Sequence, residues 1–458
     1  MADDTPGAAN LADALRAARA AEPEATMVEI AITNLNGFAH GKRIPLAVLD
    51  RLAAGTGDGI RFQTSMAGLS VFGGDVPEAG IAMEIGDPDG LFLPLPHTLG
   101  PLPFAGRPTL QILGMIGERD GTPLPYDPRG VLLAVLERAA ARGLTPVVAL
   151  ELEFYLVDPA KDVPAANPAT GAPLADYQMM DLDVQRAFDP VLCDIADAAA
   201  TLGVKTETVL CEFGAGQFEI NLPHMADAAR AADQLVCLKR VIRAAARHHG
   251  LDASFMAKPF GEWSGSGLHI HLSLLGPDGR NVFDEAGDPI GPTLGHAVGG
   301  LAATTRDTFL MFAPHLNSYR RHRPGSYAPV GASWGVDNRG AAFRIPVARG
   351  PAARLEHRIA GADANPYLAT AAVVAGVLHG IENRIAPGPM SRSDEAGGAP
   401  PFPQTWPEAL TTFGASRLIP ETMGAPFHHV FGAVKRYEEA ELRGRVTDVE
   451  RALYLRRI

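Results

Sequence analysis

The stretch Val147-Val148-Ala149-Leu150-Glu151-Leu152-Glu153-Phe154-Tyr155-Leu156-Val157 decides how this chain folds and where its chemistry sits. Its apolar, β-branched and aromatic residues predict a strand. Two glutamates interrupt the run, and their spacing of two puts both on one face of that strand. Carboxylates in such surroundings are normally buried. Like charges ~4 Å apart repel by about 4 kcal/mol even at an effective dielectric near 20, so the pair needs cations to stay ionised. Those cations are either metal ions or the side chains of separate salt bridges.

The same spacing recurs downstream. His269-Ile270-His271 and Arg354-Leu355-Glu356-His357-Arg358 alternate in strand-like surroundings. Cys211–Asn221 is less regular, because Glu212 and Glu219 stand an odd number of positions apart. Gly214-Ala215-Gly216 lies between them and can turn or bulge the chain. Separate salt bridges to arginine account for any one pair, whereas five acids and two histidines recurring together point to metal. Oxygen-dominated ligation with a single imidazole favours magnesium or manganese over zinc.

A basic concentration follows: Arg320, Arg321, Arg323, then Arg339, Arg344, Arg354 and Arg358. A solvated helix face explains the first three as well as anion binding does. Arg344, inside Phe343-Arg344-Ile345-Pro346, and the alternating Arg354 and Arg358 fit anion binding better. Guanidinium forks match carboxylates and phosphates. Metals and arginines around anions are the equipment of phosphoryl transfer. Common nucleotide signatures are missing. Gly37-Phe38-Ala39-His40-Gly41-Lys42 is one residue short of a P-loop and is followed by Arg43, and Gly265-Ser266-Gly267 is too short for a dinucleotide fingerprint.

The bulk composition sets the frame. At 458 residues, 47% hydrophobic and 20% charged, the chain reads as a globular protein of at least two domains. A net charge of −12 argues against a nucleic-acid or anionic-membrane partner. Cys193, Cys211 and Cys237 form no CxxC pair, which fits a reducing cytosol better than a disulfide framework. Asp3 and Asp4 open an N-terminus without the apolar core of a signal peptide, and no apolar run reaches the ~20 residues of a membrane span. The expectation is a cytoplasmic protein.

Helical patterning covers Leu11–Ala21. Met27–Thr33 alternates like a strand, and Asn36-Gly37 signals a hairpin turn before Phe38–Pro45. Short apolar segments continue to about Leu113, predicting a small β-rich domain. Glu118–Gly130, with its prolines and glycines, reads as a linker. Beyond it come a helix at Val131–Ala141, the strand Val147–Val157, and helices at Val184–Leu202, Met225–His249 and Asn365–Arg384. A loose stretch, Ala386–Trp406, precedes a helical tail.

Taken in order, these motifs form a recognisable set. They are Glu151-Leu-Glu153-Phe154, Glu212…Gly216-Gln217-Phe218-Glu219, Lys258-Pro259…Gly265-Ser-Gly-Leu-His269-Ile-His271, Asn317-Ser-Tyr-Arg-Arg321, Asn338-Arg339 with Arg344, and Arg354-Leu-Glu356-His-Arg358…Asn365-Pro-Tyr. The chain resembles the glutamine synthetase superfamily over nearly its full length. The resemblance implies an α+β fold: an N-terminal helical segment (1–24), a β-grasp domain (25–117), a linker (118–130), and a glutamine-synthetase catalytic domain (131–458) on a curved antiparallel sheet. It also implies a homo-oligomer, a dodecamer of two stacked hexameric rings with active sites between neighbouring subunits.

Carried over to this sequence, the resemblance has Glu153, Glu212 and Glu219 hold one ion and Glu151, His269 and Glu356 another, of two or three Mg²⁺ or Mn²⁺ in all. Gly265, Arg321 and Arg358 would bind glutamate. Arg339, Arg344 and Arg354, with His271 and Ser273, would serve ATP, and Arg339, Arg321 and Glu212 would take part in catalysis. The implied reaction makes γ-glutamyl phosphate from glutamate and ATP, after which an amine displaces phosphate.

Two departures bear on that amine. Ammonia-using members carry Asp-Gly-Ser-Ser where this chain reads Phe62-Gln63-Thr64-Ser65, and a glutamate where it has Tyr327 in Pro324-Gly-Ser-Tyr327-Ala-Pro329. With both acids replaced, the attraction for a small cation is gone. Ser326-Tyr-Ala-Pro…Ser333-Trp334-Gly335 is similar to the γ-glutamyl-amine ligase branch, which takes polyamines, alkylamines or ethanolamine. Gln63, Tyr177 and Tyr327 are the candidate amine contacts, with Phe62 and Trp334 as further aromatic walls; packing explains the aromatics equally well. A glutamine synthetase in which Asp75, Glu78 or Asp181 replaces the missing acid is the alternative, and a catalytically inactive ring the third reading. The tyrosine-adenylylation segment has no counterpart near Ile385–Trp406, and the usual lysine is absent just before Arg354.

Overall fold

A computed structural model describes residues 8–174, 177–285, 290–347, 349–392 and 399–458. Asp3, Asp4 and positions 393–398 of the loose stretch lie outside them. The opening sequence folds as the strand Thr145–Asp158. Val148, Leu150, Leu152, Phe154 and Leu156, on its even-numbered face, are fully buried against helices Ala228–His248 and Pro128–Ala140. Each such side chain contributes about 1.5–3 kcal/mol. A one-residue slip would exchange these side chains for Glu151 and Glu153, so the core holds the register.

This strand is central to a curled sheet of nine strands among the described residues. Leu268–Leu275 and Gln217–Asn221 flank it, with Leu355–His357, Phe343–Ile345 and Trp334–Val336 beyond the first and Thr208–Cys211 beyond the second. The expected antiparallel order holds except at one edge, where Trp334–Val336 and Phe343–Ile345 run parallel. Asp337, at φ 48°, turns the chain back there. Behind the sheet, helices Pro292–Phe312 and Pro366–Asn383 approach closely: a Cβ on Gly300 would stand 2.4 Å from Gly380 Cα.

Among the described residues the second sheet has six strands. Ala39–Pro45, Met27–Thr33, Thr109–Gly117, Asp89–Pro94 and Arg61–Gln63 are neighbours in that order, and Gly100–Pro101 also pairs with Thr109–Gly117. Met27–Thr33 and Thr109–Gly117 run parallel, the other pairs antiparallel. The expected turn at Asn36-Gly37 lies in a longer loop from Asn34 to Phe38, with Gly37 at φ 76°.

Some elements differ from the sequence pattern. The helix expected over Val184–Leu202 breaks at Phe188 into Leu182–Ala187 and Asp189–Thr201. Pro190 has no N–H to continue the ladder, and its ring crowds the preceding turn. Met225 bridges to Val148 instead of opening a helix, and Asp227 caps the helix that starts at Ala228. The 118–130 segment is anchored by buried Asp127, which accepts from the N–H groups of Ile116, Arg129 and Gly130.

One buried polar cluster joins the chain's two ends. Lys435 and Glu438, on helix Ala425–Arg443, pair at 2.9 Å and are fully buried. Asn36 Nδ2 and Val71 N donate to Glu438 Oε1 at 2.7 and 2.8 Å, while Lys435 donates to Asn36 Oδ1. Among the described residues, no helix is long and apolar enough to cross a membrane.

Candidate active site

Strand pairing assembles the predicted ligands. Glu219 lies opposite Glu153, and Asn221 opposite Glu151. On the other side His269 lies opposite Glu151, and His271 and Arg344 both stand opposite Glu356. Glu212 begins a tight loop closed by a bond from Gln217 N to Gly214 O of 2.9 Å, with Gly216 at φ 73°. That loop resolves the irregular spacing. Donor atoms converge to within 4.8 Å of one another in three groups: Glu153/Glu212/Glu219, Glu151/Glu219/His269 and Glu151/His271/Glu356. All six predicted ligands fall in these groups, but the predicted set Glu151/His269/Glu356 is divided between the last two, His269 grouping with Glu219 and Glu356 with His271.

The electrostatics divide this cluster in two. Burial, and then the charges of Glu151, Glu153 and Glu212, raise Glu219 to about 9. Burial and Glu153 raise Glu212 to about 7. Burial also pushes Glu151 upward, but bonds to His269 at 3.3 Å and His271 at 2.7 Å outweigh it and hold the carboxyl well below its ordinary range. Glu356 is likewise opposed by burial, yet Arg358, His269 and His271 bring it to about 2. Burial and neighbouring carboxylates thus disfavour the charged forms of Glu212 and Glu219. An oxygen-rich set of this kind fits a hard divalent ion. Gly267 N donates to Glu153 Oε2 at 2.7 Å, and Gln217 Nε2 reaches the same oxygen at 3.4 Å.

The arginines approach from the neighbouring strands and loops. Arg344 donates to Glu356 at 2.7 Å and to Asp337 at 2.6 Å, and Arg358 donates to the other oxygen of Glu356. Arg321 is 5% exposed and bonds Ile359 O at 2.8 Å. A Cβ on Gly265 or Gly267 would come within 2.7 Å of its side chain, so the two glycines make room for it. Arg354 Nε reaches His271 Nδ1 at 3.3 Å. Arg339 is exposed, and its charge favours ionised Glu212. Ser273, buried, continues the strand face of His269 and His271.

Aromatic rings stand beside the acids. Tyr327 is 65% exposed at φ 57° and stacks on Phe213, centroids 5.7 Å apart. Tyr177 meets the same ring edge-on at 6.1 Å. Phe213 is not among the predicted residues, although its position directly after Glu212 was the available signal. Asp337, Gln217 and Asn221 are likewise unpredicted partners of the site.

Other candidates lie elsewhere. Gln63 is exposed on an edge strand of the second sheet, opposite Asp89, and among the described residues no hydrogen bond joins it to the carboxylates. Phe62 packs on Phe92, and Trp334 is buried with its Nε1 on Gly388 O, so both serve as packing. Asp181 caps the helix Leu182–Ala187.

Comparison with known proteins gives consistent matches. The family described as "Glutamine synthetase, catalytic domain" matches residues 125–454. The γ-glutamylputrescine synthetase PuuA of Escherichia coli (strain K12) is 37% identical over 440 residues, 93% of this chain and 91% of that protein. A glutamine synthetase of Thermococcus kodakarensis is 32% identical over 421 residues, 90% of this chain and 89% of its own. The solved GmaS/ADP complex superposes with a TM-score of 0.83 at 29% identity, covering 98% of this chain and 99% of that one.

Proposed function

Because this chain belongs to the glutamine synthetase family, we propose that it is an ADP-forming ligase joining the side-chain carboxylate of glutamate to a primary organic amine. The observation that carries this reading is the convergence of five glutamates with His269 and four arginines on one sheet face and its adjoining loops. Glu153, Glu212 and Glu219 would hold one Mg²⁺ or Mn²⁺, and Glu151, His269 and Glu356 another, neutralising phosphate charge when bound; His271 offers a donor for a third.

The side chains then have distinct tasks. Buried Arg321 and Arg358, beside Gly265, clamp glutamate and aim its γ-carboxylate at ATP. Arg339, Arg344 and Arg354, with His271 and Ser273, hold the phosphates and nucleotide. Attack on the γ-phosphate gives γ-glutamyl phosphate and ADP; attack by the neutral amine forms the amide and expels phosphate. Prepositioned guanidinium groups stabilise the charge that develops, typically worth 10²–10³-fold per donor.

An organic amine is favoured over ammonia by the ring group and by the relatives. Tyr177, Phe213 and Tyr327 offer aromatic faces that attract alkylammonium groups, and identity to the putrescine ligase exceeds that to the glutamine synthetase. The test is turnover with ammonium, methylamine, isopropylamine, ethanolamine, putrescine and aniline, products identified by mass. Phosphate release should require glutamate, ATP, Mg²⁺ or Mn²⁺, and an organic amine. Ammonium turning over best would sink the proposal.

The remaining features follow the family. The six-stranded sheet reads as the β-grasp domain, and the family match from residue 125 begins inside the 118–130 segment, ahead of the expected start of the catalytic domain at 131. An assembly of two hexameric rings is supported by Val446, Val449, Leu453, Tyr454, Leu455 and Ile458, all exposed around the helix Asp448–Tyr454. It would also let Gln63 serve a neighbour's site. The unpaired Cys193, Cys211 and Cys237 fit the cytoplasm.

A further inference from the structure

A cavity of about 790 Å³ lies apart from the carboxylates and the site arginines, none of which lines it. It sits between the Asn36–Ala39 loop, the helix Ala228–His248, the strand Asp252–Ser254 and Trp406. Its size falls within the range of small-molecule sites.

The charges around it are unevenly satisfied. Arg240 is engaged by Glu29 at 2.6 Å and by Gln111, and Lys239 donates to Ala362 O at 2.6 Å. Asp252 lies 3.5 Å from Arg247, and Asp363 accepts from Ser318 at 2.6 Å. Arg243 differs. Its guanidinium lies 4.9 Å from the centroid of Phe255, and among the described residues it makes no hydrogen bond or ion pair. Burial, Arg247 and Arg240 disfavour its charge, and the nearby Asp252 offsets this only in part. Phe38, Phe255 and Trp406 add flat apolar walls.

We propose that this cavity binds a small aromatic oxyanion, a flat ring carrying one carboxylate or phosphate group, at a site separate from the substrates. Arg243 pairs with the oxyanion, and the ring lies among Phe38, Phe255 and Trp406.

The test is calorimetric titration of the full-length protein with benzoate, phenyl phosphate and inorganic phosphate, with and without saturating ADP and Mg²⁺. One ring-bearing probe should bind per chain, unaffected by ADP, and at least tenfold more tightly than inorganic phosphate. Benzoate against phenyl phosphate identifies the preferred oxyanion. Arg243→Gln should weaken binding at least tenfold and Arg243→Lys should restore part of it. Melting temperatures check that each variant folds; should Arg243→Gln not fold, Arg243→Lys and the comparison with inorganic phosphate decide. The proposal is overturned if neither ring-bearing probe saturates, if ADP displaces them, if inorganic phosphate binds as tightly, or if the folded variants bind like the parent.

Discussion

Glu219 stands directly opposite Glu153 on the neighbouring antiparallel strand, and the two are 7% and 8% exposed. Like charges in facing positions destabilise a sheet. Ionising both at once therefore carries a cost that a bound cation would relieve.

The first prediction follows from the protons. Without metal, folded Glu219 keeps its proton to about 9, against an ordinary value of 4.5. Between those values the folded state binds more protons than the unfolded one, so stability falls as pH rises through that window. Glu219→Gln should flatten this slope in metal-free thermal melts and lower Mn²⁺ affinity at least tenfold, about 1.4 kcal/mol. In the parent protein, Mn²⁺ affinity should climb with pH because metal displaces the proton. An unchanged slope in the variant would assign the proton elsewhere.

The second concerns amine selection. Phe213 contacts both Tyr177 and Tyr327, and aromatic pairs are worth about 0.5–1.5 kcal/mol. Phe213→Ala should raise KM for the amine about three- to tenfold while leaving KM for ATP in place. Steady-state kinetics with each substrate varied in turn separates these effects; equal rises in both would point to general disruption.

Arg344 supplies the third. It bridges Glu356 and Asp337, and the Asp337 side chain is 59% exposed. Such an exposed pair adds little stability, so Asp337→Asn should leave the melting temperature nearly unchanged. Freeing the Arg344 fork should still lower kcat, by about tenfold if roughly 1.4 kcal/mol of transition-state positioning is lost. A fall in stability with intact turnover would contradict the role.

The fourth tests the seam between the chain's two ends. Glu438→Ala would leave Lys435 buried and unpaired, and breaking such a pair costs about 3–5 kcal/mol. Thermal denaturation should show a large loss, and Lys435→Met with Glu438→Leu should recover part of it. A single variant as stable as the parent would remove the cluster from the account of the fold.

The parts of the structure legible in the sequence are those with a short, regular period. Glu151, Glu153, His269, His271 and Glu356 alternate with buried apolar residues, so their shared strand faces could be read directly. Glu212 needed the glycines after it, since a loop supplies it. Phe213 was marked only by its place after Glu212, and Asp337 was not legible, because stacking and a left-handed turn leave no periodic trace. Pro190 marked the broken helix, but the apolar pattern ran unbroken through it. Gln63 belongs to the edge of the other sheet, and no local pattern relates that edge to the acids.

The placement of Tyr177, Phe213 and Tyr327 has an evolutionary consequence. The strand-borne acids are locked by a core register, so changes among them endanger the fold. The three rings instead stand on three separate loops, one of them holding Tyr327 at φ 57°. Loops tolerate substitution far better than the elements they join. Descendants of this chain could therefore acquire new nucleophiles by exchanging rim side chains while inheriting the acyl-phosphate machinery untouched.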